Sequence, residues 1–443
     1  MVFEKISLPH VYCSRPTQNL EAPKMWPPPG GLTKAYSKYP TSQLLFSCAI
    51  FKACSWNWLA VVTPTLLQCA NRLSLERISF WLIKNTIFTQ FCGGETIEDT
   101  RKKMRDLEAR NINVILDYAA ETAFNPKQFY SPNLQSPISS KKQDIAASNI
   151  MSAIEMAENH VNPMVAVKIS ALFDNSLLEN LNRELDIKIC SLKLLKNDGW
   201  DRLISICNLA RNKNVKIAFD AEQSLIQKSI DFLAIEMMKL FNKIDDVPDP
   251  AIFTTYQMYR KDGLIRLKQD LEESKSNGYH FGVKIVRGAY IKGEKIWSME
   301  KGYECPIYET IEETHTQFNQ CVAYVLNSAI FPKKWKLSVI FATHNFESLR
   351  LATQIYIENR CHREENLCVS FAHLYGMCDA VTNTLVDSGY KVYKYLPFGP
   401  VQDVIPYLIR RALENSSIFN LSQSDANLMW KELVYRFTPR FLL

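Results

Sequence analysis

Glycine is scarce, 14 in 443 residues, and none of it forms the GxGxxG turn of a dinucleotide-binding fold. The usual fingerprint of an open, doubly wound nucleotide domain is therefore missing. The 12 cysteines include no CxxC pair, and Cys361, Cys368 and Cys378 are spaced unlike a zinc site. Used this way, cysteines serve as small core residues in a reducing compartment. The net charge of +6 is spread without a basic block, so nucleic acid is not an implied partner. Gly288–Lys295 (GAYIKGEK) superficially resembles a phosphate-binding loop, but Glu294 stands where that loop needs lysine. The most apolar run, Leu44–Leu67, is broken by Lys52, Asn57 and Pro64, which suits a buried or interfacial helix better than a membrane span. Acids are rare at the start, where residues 1–40 hold only Glu4 and Glu21 among seven prolines. That is the acid poverty of a mitochondrial leader, but without an amphipathic Arg-rich helix; a disordered segment is the other reading.

What is present is a chain able to bury a large core, 47% hydrophobic. Residues 41–110 look helical. From there, short β-branched runs alternate with helical patterns. The predicted strands are Ile112–Leu116, Met164–Ile169, Val215–Phe219, Ile252–Tyr256, Phe281–Val286, Leu337–Phe341, Leu367–Phe371 and Lys391–Tyr395. Helices are predicted at Ser148–Asn159, Trp200–Asn212, Ser224–Phe241, Leu264–Ser276, Ile307–Leu326 and Glu347–Asn359, with polar loops at Asn125–Lys142 and Lys243–Pro250. Eight such units predict an α/β fold, a (β/α)8 barrel of TIM type over residues 111–443 behind a helical N-terminal region at 41–110.

Barrel chemistry sits where strands end. Those positions carry Asp117, Lys168, Asp220 with Glu222, Gln257, Lys284 with Arg287, Thr343-His344-Asn345, His373 and Tyr395. After the last strand, a Pro/Gly turn leads into a helix predicted from Gln402 to Asn415. Tyr407, Arg410, Arg411 and Glu414 share one stripe of it. An arginine pair backed by an acid can grip a small carboxylate through its planar forks. An exposed amphipathic helix with an i,i+4 ion pair explains the same spacing.

Six segments in order, VKIS (Val167–Ser170), FDAE (Phe219–Glu222), TYQMY (Thr255–Tyr259), VKIVRGAY (Val283–Tyr290), FATHN (Phe341–Asn345) and YKYLPFGPVQDVIPYLIRRALEN (Tyr393–Asn415), resemble the proline dehydrogenase family, its eukaryotic mitochondrial branch above all. The resemblance implies a distorted barrel binding FAD, oxidation of L-proline to Δ1-pyrroline-5-carboxylate, and reoxidation by a membrane quinone. It implies a mitochondrial location on the matrix side with peripheral contact to the inner membrane. Arg410, Arg411 and Lys168 would hold the carboxylate, Tyr395 and Tyr407 would pack on the ring, and Glu414 would orient the arginines. The implied catalytic group is Asp220, Lys284 and Tyr395. Gln257, Lys284, Arg287, Gly288, Ala289, Tyr290, Thr343 and His344 would face the flavin, with Gly288 admitting its ring closely. No dedicated base for the ring nitrogen is evident.

Two departures bear on this. Ala372-His373 stands where the family shows Gly-Gln, which puts one contact near the barrel rim in doubt. Lys284 stands where many bacterial relatives have arginine, a change that the eukaryotic members share. Tyr395 is the tyrosine that hydroxyproline-specialised relatives lack, which implies proline as the preferred substrate. Outside the resemblance, Lys168 could form a Schiff base as in barrel aldolases, and the barrel could bind proline or flavin without catalysis.

Overall fold

The computed structural model describes residues 22–29, 31–54, 76–119, 140–186, 197–327, 334–359 and 365–438, without the side chains of 76, 406 and 409–424. Eight parallel strands close in sequence order: β1 (Asn113–Tyr118), β2 (Met164–Val167), β3 (Lys216–Phe219), β4 (Ile252–Gln257), β5 (Phe281–Val286), β6 (Leu337–Ala342), β7 (Leu367–Leu374) and β8 (Lys391–Phe398). β8 returns to β1, with Tyr395 beside Ile115 and Pro397 beside Asp117. All eight predicted strands are present, several extended by two or three residues at the C-terminal end.

The two-residue side-chain period divides each strand between two cores. One set, Ile115, Met164, Ala166, Ala218, Phe253, Ile340, Ala372 and Tyr393, fills the barrel. Small alanines opposite Phe253 and Tyr393 let the layers interdigitate. The other set, including Val165, Ile217, Phe219, Val283, Phe341, Val392 and Leu396, packs against the surrounding helices. Both faces of a strand are thus apolar, which is why the strands read as continuous runs. Continued one step beyond the apolar layers, the inward parity reaches Asp117, Lys168, Asp220 and Tyr395, so the core pattern itself aims them at the mouth.

Helix starts are fixed by side-chain caps at Thr96, Asn197 and Asn345, which accept from Asp99 N (3.1 Å), Trp200 N (3.0 Å) and Ser348 N (2.9 Å). Ser224–Phe241 is capped from elsewhere. Glu294, the residue that spoils the phosphate-loop pattern, is buried and accepts from Ser224 N at 2.7 Å and from the Ser224 hydroxyl.

Three further helices, Asn175–Asp186, Ile291–Lys301 and Asp379–Asp387, are not among those predicted. Ile291–Lys301 buries only Glu294, Trp297 and Ser298, so it offers almost no apolar stripe to read. The last helix runs Val401–Phe437, well past Asn415, because the Ser/Asn-rich stretch after it does not stop a helix packed on others. Of the loop predicted at Asn125–Lys142, residues 140–142 belong to the helix Ser140–Ala157 and the rest lies outside the described residues.

Residues 22–29 and 31–40, part of the stretch read as leader or disordered segment, are packed. The Trp26 indole donates to Thr384 Oγ1 at 3.0 Å and lies 4.8 Å from the Phe346 ring; Tyr36 donates to Asp425 Oδ1 at 2.8 Å. Tyr36, Leu44, Phe51, Phe88, Phe91, Val404, Tyr407 and Met429 form a second apolar cluster outside the barrel. Arg436 closes it by donating to the carbonyls of Tyr39 (2.8 Å), Ser37 (2.9 Å) and Tyr36 (3.2 Å).

Candidate active site

Asp220 leaves the C-terminal end of β3 into the barrel mouth and gathers three side chains from three other strands. Lys284 of β5 forms an ion pair with its Oδ1, Tyr395 of β8 donates to its Oδ2 at 2.8 Å, and Lys168 after β2 lies 3.9 Å from that oxygen. Lys168 also donates to both oxygens of Asp117 on β1, at 3.1 and 3.3 Å. The Lys284 ammonium stands 5.4 Å from the centre of the Tyr395 ring. Burial pushes the Asp220 carboxyl up, but Lys284, then Lys168 and the two hydrogen bonds outweigh it and hold the group below the usual carboxylate range. Burial opposes the charge on Lys168 too, and Asp117 and Asp220 overcome it, keeping the amine protonated. Tyr395 is raised by burial and by the Asp117 and Asp220 charges, so it stays a neutral donor.

Glu222 turns away from this group. It accepts from Ser170 N at 3.1 Å and from the Ser170 hydroxyl, and burial raises its pKa. The amide of Gln257 on β4 donates to Glu222 O at 2.7 Å and reaches Gln227 Oε1 at 3.4 Å, so it serves the wall of the mouth.

Arg287, just past β5, is held differently. Nε donates to His315 Nδ1 at 3.0 Å, Nη2 to Ser348 Oγ at 2.8 Å, and Nη1 to the Thr343 hydroxyl, with the guanidinium 4.3 Å from the Phe318 ring. Accepting at Nδ1 makes His315 neutral, and burial, then Arg287, lowers its pKa. Among the described residues no carboxylate pairs with Arg287, and burial alone draws its pKa down to about 10. A half-buried cation whose described protein partners are all neutral is suited to an anionic ligand. That is the fit to an implied FAD, whose phosphates and reduced ring are anionic. Lys284, by contrast, already has its charge met by Asp220.

Gly288 adopts φ +137°, and a Cβ there would fall 2.3 Å from the Tyr259 ring. The close approach that demands glycine is therefore to Tyr259, and Gly288, Ala289 and Tyr290 form the turn into the helix Ile291–Lys301. His344 accepts from Leu374 N through Nε2 at 3.0 Å, which fixes its ring against β7. Thr343, besides meeting Arg287, accepts from Asn345 N at 3.1 Å. Tyr407 is buried in the second apolar cluster. Arg410, Arg411 and Glu414 lie on the long last helix, and their side chains are outside the described residues.

His373, read as a strand-end residue of the mouth, points away from it. Its parity is opposite to that of the barrel-filling Ala372, and Nδ1 donates to Thr382 Oγ1 at 2.8 Å, because that hydroxyl's own hydrogen goes to Cys378 O at 2.9 Å. The Ala-His departure thus changes the packing behind β7. His373 Nε2 is buried without a hydrogen-bond partner, and burial, with Lys394 and His344 nearby, holds its pKa well below the usual value. A histidine that is neutral when folded and charged when unfolded costs stability as pH falls below about 6.5. Denaturant unfolding at pH 7 and pH 5 should show His373→Gln losing about 2 kcal/mol less than the wild type over that interval. Equal losses would mean His373 is protonated in the folded state.

Sequence reasoning placed Asp117 and Glu222 at strand ends without a role, and missed Ser170, Gln227, His315 and Ser348. Those four sit on helices and connections, where a polar residue carries no positional signal. The pairing of Asp220 with Lys284 was equally invisible, since 64 residues separate them.

Residues 100–424 match the family Proline dehydrogenase. "Proline dehydrogenase 1, mitochondrial" of Dictyostelium discoideum is 32% identical over 436 residues, 90% of this chain and 73% of that one. "Hydroxyproline dehydrogenase" of Xenopus laevis is 30% identical over 92% of this chain and 89% of its own. Among solved structures, proline utilization A from Bdellovibrio bacteriovorus superposes with a TM-score of 0.64 at 21% identity, over 84% of this chain but only 38% of that one. The barrel is thus a known one.

Proposed function

Because the chain belongs to the proline dehydrogenase family, we propose that it oxidises L-proline to Δ1-pyrroline-5-carboxylate with FAD bound at the barrel mouth, and that a membrane quinone takes the electrons. The observation that carries this reading is the mouth itself: Lys168, Lys284 and Tyr395 converge on Asp220, and just past β5 stands a half-buried Arg287 with no carboxylate partner among the described residues. Lys168 offers a fixed positive charge to the substrate carboxylate, joined in this reading by Arg410 and Arg411 with Glu414 behind them. Tyr395, held by Asp220, gives the pyrrolidine ring a rigid wall that leaves little room for a ring hydroxyl, so proline is preferred over hydroxyproline. Tyr407 completes that wall in the same reading. Arg287, Thr343, His344, Gln257 and the Gly288–Tyr290 turn would hold FAD, which supplies the two-electron acceptor chemistry when bound. Asp220, ionised and saturated with donors, is a poor base, so the ring nitrogen loses its proton to solvent.

A Schiff-base role for Lys168 is disfavoured. An amine clamped between Asp117 and Asp220 stays protonated and cannot attack a carbonyl.

The reading places the chain in mitochondria, on the matrix side. Leu45, Ile78, Trp81, Leu82, Trp430, Val434, Tyr435 and Phe437 are all exposed on the packed helices Thr41–Cys54, Glu76–Ile83 and Val401–Phe437. Exposed tryptophans and tyrosines beside aliphatics suit the headgroup layer of a bilayer and support peripheral docking near the quinone. Co-sedimentation with anionic vesicles should therefore be weakened by Trp81→Ala with Trp430→Ala; undiminished binding would remove these helices from the contact.

Anaerobic titration of the purified protein with L-proline should bleach the flavin absorbance, and a soluble quinone should restore it. A yellow protein that proline leaves unbleached would sink the activity and leave a non-catalytic binding barrel, while better turnover of 4-hydroxyproline would overturn the preference. Arg287→Met should be isolated largely colourless and regain absorbance only at high added FAD, with loss of one charge-assisted contact costing about 10- to 100-fold in affinity. Full yellow colour in that variant would remove Arg287 from the flavin site.

A further inference from the structure

Outside the barrel, behind β8, a cavity of about 380 Å³ opens between the helices Thr41–Cys54 and Ile97–Glu108 and the turn after β7. It is separate from the mouth, because Lys394 in its wall faces away from the barrel interior that Tyr395 packs against. Two half-buried cations enter it from one side, Lys103 on Ile97–Glu108 and Arg110 in the turn that follows, about two helical turns apart. Arg110 Nη1 donates to the Tyr39 hydroxyl at 2.7 Å and Nε to Asp106 O at 3.2 Å, and its guanidinium lies 5.1 Å from the Tyr39 ring centre. The Lys103 ammonium stands 5.9 Å from the centre of the Tyr375 ring.

Neither cation is ion-paired with a carboxylate among the described residues, although Asp106 and Asp379 also line the cavity. Asp379 is taken by Lys394 at 2.6 Å, and the lining Lys38 by Asp387 at 3.2 Å. Burial and the nearby Arg110 make the charge on Lys103 harder to keep, with only the field of Asp106 helping it. The floor is built and closely packed. Ser47 Oγ donates to Gln90 Oε1 at 3.0 Å, Gln90 Nε2 donates to Gly376 O at 3.0 Å, and a Cβ on Gly376 would fall 2.0 Å from Gln90 O. Two half-buried positive charges without an ion pair among the described residues, in a walled cavity with aromatic sides, cost free energy that a bound anion would recover.

We propose that this cavity binds a small dianion, a dicarboxylate or a phosphate ester, with its anionic groups on Lys103 and Arg110 and its body along Tyr39 and Tyr375. Tyr375 N donates to Tyr395 O at 3.0 Å, so the cavity wall is bonded to the strand segment that carries the active-site tyrosine.

Calorimetric titration of the full chain with succinate and, separately, with phenyl phosphate tests this with saturating L-proline present, so that binding at the mouth is blocked. At least one probe should bind at one site per chain, succinate alone identifying a carboxylate ligand and phenyl phosphate alone a phosphate ester. Lys103→Gln should weaken that binding about 10- to 100-fold, and Arg110→Lys, which keeps the charge but loses the fork, should weaken it less than Arg110→Gln. Absence of binding by both probes, displacement by proline, or undiminished binding in Lys103→Gln would overturn the site. The Lys103 and Arg110 variants report this cavity whether or not the barrel binds and oxidises proline.

Discussion

Asp220→Ala should lower stability by about 3–5 kcal/mol, because it strips the buried Lys284 of its carboxylate and leaves a lone charge in the barrel mouth. It should also cut kcat/KM for proline by about 100-fold, since Tyr395 and Lys168 lose the group that holds them in place. Asp220→Asn keeps an acceptor for Tyr395 but not the charge, so it should fold better than the alanine variant and still lose activity. The double variant Asp220→Ala/Lys284→Met removes both charges together and should be less destabilised than the sum of the single ones. Strict additivity would show that the pair is not coupled.

The pH dependence has a defined sign. Asp220 has a lowered folded pKa, so its contribution to stability is complete above the unfolded value of about 3.9 and fades as pH falls through the folded value. The gap between wild type and Asp220→Ala should therefore stay level around neutrality and close only in acid.

Arg411→Met should raise the KM for proline while FAD remains bound. Removing one charge-assisted, two-pronged contact to a carboxylate costs about 2–3 kcal/mol, or about 30- to 150-fold in kcat/KM. Arg411→Lys should recover only part of the loss, because an ammonium cannot reproduce the planar fork. The contrast with Arg287→Met is diagnostic: the first should be a yellow protein with a poor KM, the second a colourless one. An unchanged KM in Arg411→Met would remove its carboxylate role.

The barrel was legible because its strands are apolar on both faces and eight times repeated. Ser224–Phe241 was predicted to the residue, since an 18-residue helix that buries 11 side chains carries a wide stripe. Ile291–Lys301, with its buried Glu294, was not, and neither was the packing of Trp26 and Tyr36, whose partners Thr384 and Asp425 lie more than 350 residues away.

The same division holds for the site. By itself the sequence determined which residue types stand at the strand ends, because alternation along a strand is local and the last inward position after an apolar run is visible in one dimension. It also determined the family, through the order of VKIS, FDAE, VRGAY and YLIRRALEN. Only the tertiary structure decided how those residues share charge. It paired Lys284 with Asp220, gave Arg287 no carboxylate partner among the described residues, turned His373 behind the barrel, assigned Gly288 to the Tyr259 ring, and brought Lys103 and Arg110 to one cavity without an ion pair for either among the described residues. Charge pairing depends on separation in space and on exclusion of water, and neither quantity exists until β8 has closed on β1.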